Sequence, residues 1–293
     1  MKIKQLIIFM AVTMTVSSIS FSKSDNSWEL TWSDEFDNKT LDTTKWSYWE
    51  NDNPWKQGNY VDEQGNLIDQ YGFKVKHYYL NDNITFKDGN MIITAKQENN
   101  KYVKVNGKDV KILFSSGAIH TRDTYNVKYG KIEVRAAMPK GIGTWPAIWM
   151  WPENYSIKDN KPALGEIDIT EVYGDDFRKV TGTAHALKAD NTYKSFLGNN
   201  LKIRKNENLE DFNTYSIEWN EKEIIWLFND RIYKKVRIKD VLKYTNNPFD
   251  RPYYLMINVA LQNKTGDDPE TLKDYPTEMK VDYVRVYQKK EIK

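Results

Sequence analysis

Glu166, Asp168 and Glu171 place three carboxyl groups within one short stretch, GEIDITE, at Gly165–Glu171. Two carboxyls on either side of one bond can supply a nucleophile, an acid and a base. Glycosidic bonds are cleaved this way by double displacement, with the two groups roughly 5–5.5 Å apart. One attacks the anomeric carbon. The other protonates the leaving oxygen and then activates water. A third acid between them can hold a proton against its neighbours, because crowded carboxylates do not all ionise cheaply. A solvated strand face or a set of calcium ligands would show the same three residues, so the spacing alone leaves those readings open.

The element that must carry these acids is a strand. Ile167 and Ile169 alternate with Glu166 and Asp168, which sends the isoleucines to a core and the acids to the other face. Glu171 breaks the rule, because its odd offset from Asp168 points it at the core. A lone buried carboxylate costs several kcal/mol or gives up its charge. One extra residue at Ile169–Thr170, a β-bulge, would reset the parity and return Glu171 to the acidic face. Just upstream, TWPAIWMW puts Trp145, Trp149 and Trp151 in one phase. Such a stripe reads either as core or as a platform for sugar rings. Pro146 marks a strand start or a break in that phase.

The rest of the chain narrows the class. Its 293 residues suffice for a large core, and 40% hydrophobic with 29% charged residues describes a folded protein. A formal charge of +2 gives no reason to expect nucleic acid as a partner. MKIKQ, then LIIFMAVTMTV, then SSIS has the layout of a secretory signal peptide over residues 1–24. A secreted or periplasmic protein follows, with no membrane anchor. The absence of cysteine excludes a lipoprotein, disulfides and thiol chemistry. His77, His120 and His185 are the only histidines, which argues against a histidine-rich zinc site. Hydrolysis by carboxyl groups needs no cofactor.

Strand patterns dominate from residue 28 to 287. Trp28, Leu30 and Trp32 alternate; NITFKDGNMIITAKQ turns at Asp88-Gly89; Ile132, Val134 and Ala136 oppose Lys131, Glu133 and Arg135. SIEWNEKEIIWLFNDRIY predicts two hairpins, turning at Asn220–Glu223 and Asn229–Arg231, and MKVDYVRVYQ a last strand. Only Asp240–Tyr244 suggests a short helix. These features predict one all-β domain over 25–293, a two-sheet antiparallel sandwich. Glu50–Lys76 and Pro152–Pro162 are the long connections, candidates for binding loops.

WSDEF with LDTTKW, SSGAIHTRD, YGKIEVRAAMPKGIGTWPAIWM, GEIDITE, IIWLFND, PYYLMINVA and VDYVRVY together resemble glycoside hydrolase family 16, the laminarinase-like secreted β-glycanases, over nearly the whole mature chain. The resemblance implies a β-jelly-roll with an open substrate cleft on its concave sheet, and retaining, endo-type hydrolysis of a β-linked polysaccharide. It implies Glu166 as nucleophile, Asp168 as supporting acid and Glu171 as acid/base. It further implies sugar contacts from Trp145, Trp149 and His185. Asn258, polar within an apolar strand run, is a further candidate for the cleft. The family often holds a structural calcium; Asp34, Glu35 and Asp282 are acids near the chain ends, and the ion is optional in this reading. A monomer is expected.

Two segments depart from the family's pattern. KQGNYVDEQGNLIDQYGFKV stands where a GWGNxE-like segment is usual, and NVALQNKTGDD where NxAVGG is usual. β-1,3- or mixed-linkage glucan is the first substrate expectation. Endo-cleavage of algal galactans or keratan- and mucin-type glycans is the alternative, with Arg122 or Arg135 available to a sulfated sugar. A carbohydrate-binding sandwich that does not hydrolyse, or a purely structural one, is the reading from another class.

Overall fold

The computed structural model describes residues 27–49, 60–61, 67–68, 74, 76–105, 107–153, 164–188, 190, 192–198, 200–266 and 268–290. The signal peptide expected at 1–24 and most of the two long connections lie outside the described residues.

Two large sheets build the molecule. The first has ten strands. Its main path runs β18 (Arg231–Arg237), β17 (Glu223–Phe228), β16 (Asn213–Trp219), β10 (Gly130–Ala137), β20 (Thr277–Lys289), β7 (Asn90–Val105), β8 (Lys108–Ser116) and β5 (His77–Tyr79). β1 (Trp28–Asp34) pairs with β20, and β6 (Ile84–Lys87) with β7. The second sheet has eight strands. Its path is β14 (Tyr193–Ser195), β13 (Lys179–Leu187), β12 (Gly165–Glu171), β11 (Thr144–Pro152), β19 (Tyr253–Leu261), β9 (Ala118–His120) and β2 (Ser47–Tyr48), with β15 (Leu201–Lys202) beside β13. β3 (Tyr60–Val61) and β4 (Leu67–Ile68) form a separate pair. Among the described residues every strand pairing is antiparallel except β5 with β8.

The main core lies between the sheets. Ile132, Val134 and Ala136 enter it from β10, and Ile148, Met150, Ile167 and Ile169 from β11 and β12. Residues of opposite phase on the eight-stranded sheet form a second apolar cluster on its outer face. Ala147, Trp149 and Trp151 join Tyr254, Met256, Ala118, Trp49 and Tyr79 there. A sheet buried on one side and lined with aromatics on the other can offer a flat floor to a ligand. The architecture is the two-sheet antiparallel sandwich that the strand patterns predict, and the β-jelly-roll that the family resemblance implies.

Several local expectations meet the structure directly. Asp88 and Gly89 both take positive φ, 53° and 70°, as a two-residue hairpin turn requires. The two hairpins of β16–β17–β18 turn where expected. The alternation read at the start of the chain fails. Leu30 lies opposite Tyr287 and Trp32 opposite Val286, so Thr31 is an extra residue and Trp32 changes face. Trp32 gains a stacked contact with Tyr125, at 4.6 Å between ring centroids, and an edge contact with Trp46, while Leu30 stays exposed. The short helix is α1 (Ile238–Val241), earlier than the expected Asp240–Tyr244, because Ile238 and Val241 bury against the core. A second helical turn, α2 (Pro269–Leu272), has no apolar periodicity; it is capped by the Asp268 side chain. Pro146 sits inside β11, whose pairing with β19 is regular throughout.

Candidate active site

The acidic strand is irregular where its parity demands it. On β12, Asp168 lies opposite Trp149 and Thr183, and Glu171 lies opposite Ala147 and Thr181. Two steps along each neighbouring strand match three steps along β12. Paired residues share a face, so Glu171 joins Asp168 and Glu166 on the outer face. Thr170 lies opposite Ile148, a core residue, and Ile169 also faces the core. The two consecutive inward residues are the bulge. Its freed backbone is caught from the opposite sheet, where the Trp226 indole N–H donates to the Asp168 main-chain carbonyl at 2.7 Å.

The three acids have different surroundings. Glu166 is partly exposed and lies opposite His185. Its carboxyl hydrogen-bonds to that of Asp168. Asp168 is buried, and its Oδ2 is 3.0 Å from His185 Nε2. On the far side, His185 Nδ1 is 2.8 Å from Ser195 Oγ on β14. The His185 ring therefore lies between the Ser195 hydroxyl and the Asp168 carboxyl. Burial, reinforced by the Glu171 charge, pushes the Asp168 carboxyl well above the usual range, against the Glu166 hydrogen bond and Lys234. Asp168 therefore holds its proton to higher pH than an ordinary aspartate, and in that form can donate it to Glu166. Asp168 thus stands between the His185 ring and the Glu166 carboxyl.

Glu171 is partly exposed. Its Oε1 accepts from the Trp145 indole at 2.8 Å, and the Tyr173 hydroxyl approaches at 3.4 Å. Trp145 and Tyr173 stack, with centroids 5.6 Å apart. Burial raises the Glu171 carboxyl above the ordinary glutamate value, and the Trp145 hydrogen bond opposes it. The two glutamates thus stand on one face, with Asp168 between them. Glu171 holds its proton to higher pH than an ordinary glutamate.

The floor beside them is made of buried residues. Trp149 is 7% exposed and donates its indole N–H to Asn258 Oδ1 at 2.8 Å. Asn258 donates in turn to the Tyr79 hydroxyl at 3.0 Å. Trp149 and Asn258 therefore hold each other in the floor, while Trp145 stands at its rim beside Glu171. Arg122 reaches the same face, 5.9 Å from the Tyr254 ring. Arg135 does not. It lies on β10 of the other sheet, where it hydrogen-bonds Asp282 and stacks on Phe212, so it has no part in binding a sulfated sugar at this face.

The acids near the chain ends are engaged separately. Asp34 accepts from Trp46 and the Phe36 amide, Glu35 pairs with Arg285, and Asp282 with Arg135. Glu166, Asp168 and His185 offer atoms within 4.8 Å of one another.

Tyr173, Ser195, Trp226 and Lys234 join the site without a prior expectation. Tyr173 was readable, being two residues beyond Glu171 and so in phase with it. Ser195 comes from another strand, and no local signal marks it.

The chain is similar to known proteins over most of its length. The sequence profile of Glycosyl hydrolases family 16 matches residues 72–285. Glucan endo-1,3-beta-glucosidase A1 of Niallia circulans is 32% identical over 265 residues, 88% of this chain but 37% of that protein. The chain therefore spans well under half of that relative. Beta-glucanase of Rhodothermus marinus is 32% identical over 306 residues, covering 98% of this chain and 96% of the other. Keratan-sulfate endo-1,4-beta-galactosidase of Sphingobacterium multivorum is 27% identical over 266 residues, 89% of this chain and 55% of that one. Among solved structures, the catalytic domain of an endo-1,3-beta-glucanase (laminarinase) from Thermotoga petrophila RKU-1 superposes with a TM-score of 0.73 at 30% identity, over 90% of this chain and 99% of that one. With its bulged acidic strand, its sandwich fold and a family match over most of its length, the chain belongs to glycosyl hydrolases family 16.

Proposed function

We propose that this chain is a secreted enzyme that cleaves internal β-1,3 or mixed β-1,3/1,4 linkages of a glucan by double displacement. Glu166 is the nucleophile, Asp168 the acid that supports it, and Glu171 the acid/base. Membership of the family makes the chain a glycoside hydrolase, an endo-β-glycanase. The observation that carries the assignment of roles is the bulge at Ile169–Thr170, which brings Glu171 to the face of Glu166.

In the first half-reaction Glu171 protonates the departing glycosidic oxygen as the Glu166 carboxylate bonds to the anomeric carbon. In the second, the ionised Glu171 takes a proton from water, which attacks that carbon and frees Glu166. The hydrogen bond from Asp168 strengthens as charge returns to Glu166, so it stabilises the second departure. Trp145 stacks on a sugar ring beside Glu171, and His185 keeps Asp168 in place. The substrate polymer is met as a monomer outside the cytoplasm; the leader at 1–24 supports export.

Endo-cleavage of a β-galactan is the second reading. It is favoured by the Sphingobacterium relative and by the altered segments after Lys56 and after Val259. Arg122 at the end of the aromatic floor suits an anionic substituent there. The test is the product ladder from laminarin, barley β-glucan, agarose, porphyran and keratan sulfate. The glucan reading predicts short oligosaccharides from laminarin or barley glucan early in the digest. Cleavage of a galactan alone would replace it with the second reading, and intact binding without cleavage of any polymer would favour a non-hydrolytic carbohydrate-binding protein.

A further inference from the structure

Lys234 is a buried cation to which the reaction above gives no task. It lies on β18, on the opposite sheet from the acids, and is 6% exposed. Its Nζ donates to the main-chain carbonyls of Gly182 and Leu197, the latter at 2.8 Å, and stands 4.9 Å from the Trp226 ring. Among the described residues no carboxylate forms an ion pair with it. A buried ammonium is costly unless other charges offset it. The acids whose charges favour it are Asp168 and Glu171.

The local architecture brings the ammonium up under the acidic strand. Trp226 lies opposite Lys234 and Leu227 opposite Ile232, so Tyr233 is an extra residue and β18 is bulged here. This second bulge packs beneath the first, across Gly182. A Cβ at Gly182 would stand 2.2 Å from Trp226 Cδ1 and 2.6 Å from the Tyr233 hydroxyl, so only glycine admits the contact. Gly182 sits between Thr181 and Thr183, the partners of Glu171 and Asp168. Lys234 is thus pinned to the strand that aligns both acids, from the side a substrate never reaches.

We propose that Lys234 is a positioning residue for hydrolysis, a fixed positive charge behind the acid row that sets the pH range in which Glu166, Asp168 and Glu171 share the right number of protons. This rests on the hydrolase reading of the same site. The ionisable groups around it are Glu166, Asp168 and Glu171 on β12, His185 on β13, Tyr233 beside it on β18, Tyr215 on β16 and Tyr173 after β12; Lys194 on β14 faces the Tyr244 ring instead. Burial keeps the Tyr233, Tyr215 and Tyr173 hydroxyls protonated. The lysine charge acts on Asp168 and Glu171 against burial, favouring their ionised forms. Burial brings the ammonium itself down to about 8, with Asp168 and Glu171 opposing. Without the charge, both carboxyls keep their protons to higher pH. The acidic limb of kcat/KM follows ionisation on the nucleophile side, and the basic limb follows loss of the Glu171 proton. Both limbs should therefore move up.

The experiment compares kcat/KM against pH for wild type, Lys234→Met and Lys234→Arg, together with a carbon-13 carboxyl NMR titration of each protein without substrate. For Lys234→Met, both limbs and the Asp168 resonance should shift upward by about 0.5–1 pH unit, while Lys234→Arg stays near wild type. A purely structural lysine would lower activity at every pH and leave the limbs in place, and that result overturns the proposal. So would an equal displacement in Lys234→Arg. If Lys234→Met does not fold, Lys234→Gln removes the charge and keeps an N–H for the Gly182 carbonyl. If neither folds, the wild-type Asp168 resonance must still respond near pH 8, as the ammonium loses its proton; a flat trace there overturns the proposal. The titration needs no turnover. A wild type inert on every glycan would therefore defeat the hydrolase reading and leave the Lys234 result legible.

Discussion

Glu166→Gln is expected to lower kcat on a soluble β-glucan by about 10⁴–10⁶-fold, with substrate affinity within about threefold of wild type. An amide of the same shape cannot form the glycosyl ester, and Asp168 loses the carboxylate to which it donates. Glu166 is partly exposed and its strand is held by the bulge and the Trp226 hydrogen bond, so the fold should survive the change. Reducing-end release at saturating substrate, with binding measured by calorimetry, separates the two effects. Turnover within tenfold of wild type would remove Glu166 as the nucleophile.

Glu171→Ala should cost about 10²–10⁴-fold on a glucan, whose leaving oxygen needs a proton, and much less in the first step on an aryl glycoside with a good leaving group. The variant leaves the Trp145 indole N–H and the Tyr173 hydroxyl facing an emptied space where the carboxyl oxygen stood. Two donors around a small gap suit a compact anion. Azide should enter, attack the glycosyl-enzyme without base assistance and restore turnover on the activated substrate, releasing a glycosyl azide of β configuration. No rescue, or an α-azide, would assign Glu171 another role. The same surroundings raise the Glu171 carboxyl by burial, which keeps the acid form available toward neutral pH.

What could be read from the sequence divides along physical lines. The bulge was legible because a hydrophobic alternation and a misplaced carboxylate contradict each other, and one extra residue is the inexpensive way to reconcile them. Hairpins with Asp-Gly or Asn-Asp turns were legible because those residues tolerate positive φ. The start of β1 misled because Trp28, Leu30 and Trp32 alternate in type while Thr31 bulges out of register, and nothing polar was stranded to reveal it. Trp149 and Trp151 had the right phase for an aromatic stripe. Sequence could not tell that Trp149 would be locked to Asn258 and Tyr79, since β5 and β19 meet only in three dimensions. Lys234 and Ser195 were hidden for the same reason. Each reaches the acids from a distant strand, and the lysine reads locally as part of the polar run RIYKKVR.

The central claim is that an irregularity in one strand places two carboxyls on one face, close enough for a covalent intermediate. Proton NMR of the anomeric region during the first minutes of oligosaccharide cleavage tests it most directly. The account predicts that the β-anomer of the new reducing end appears first and that the α-anomer grows in only by mutarotation. Initial release of the α-anomer would mean a single displacement by water, and would contradict the pairing of Glu166 with Glu171.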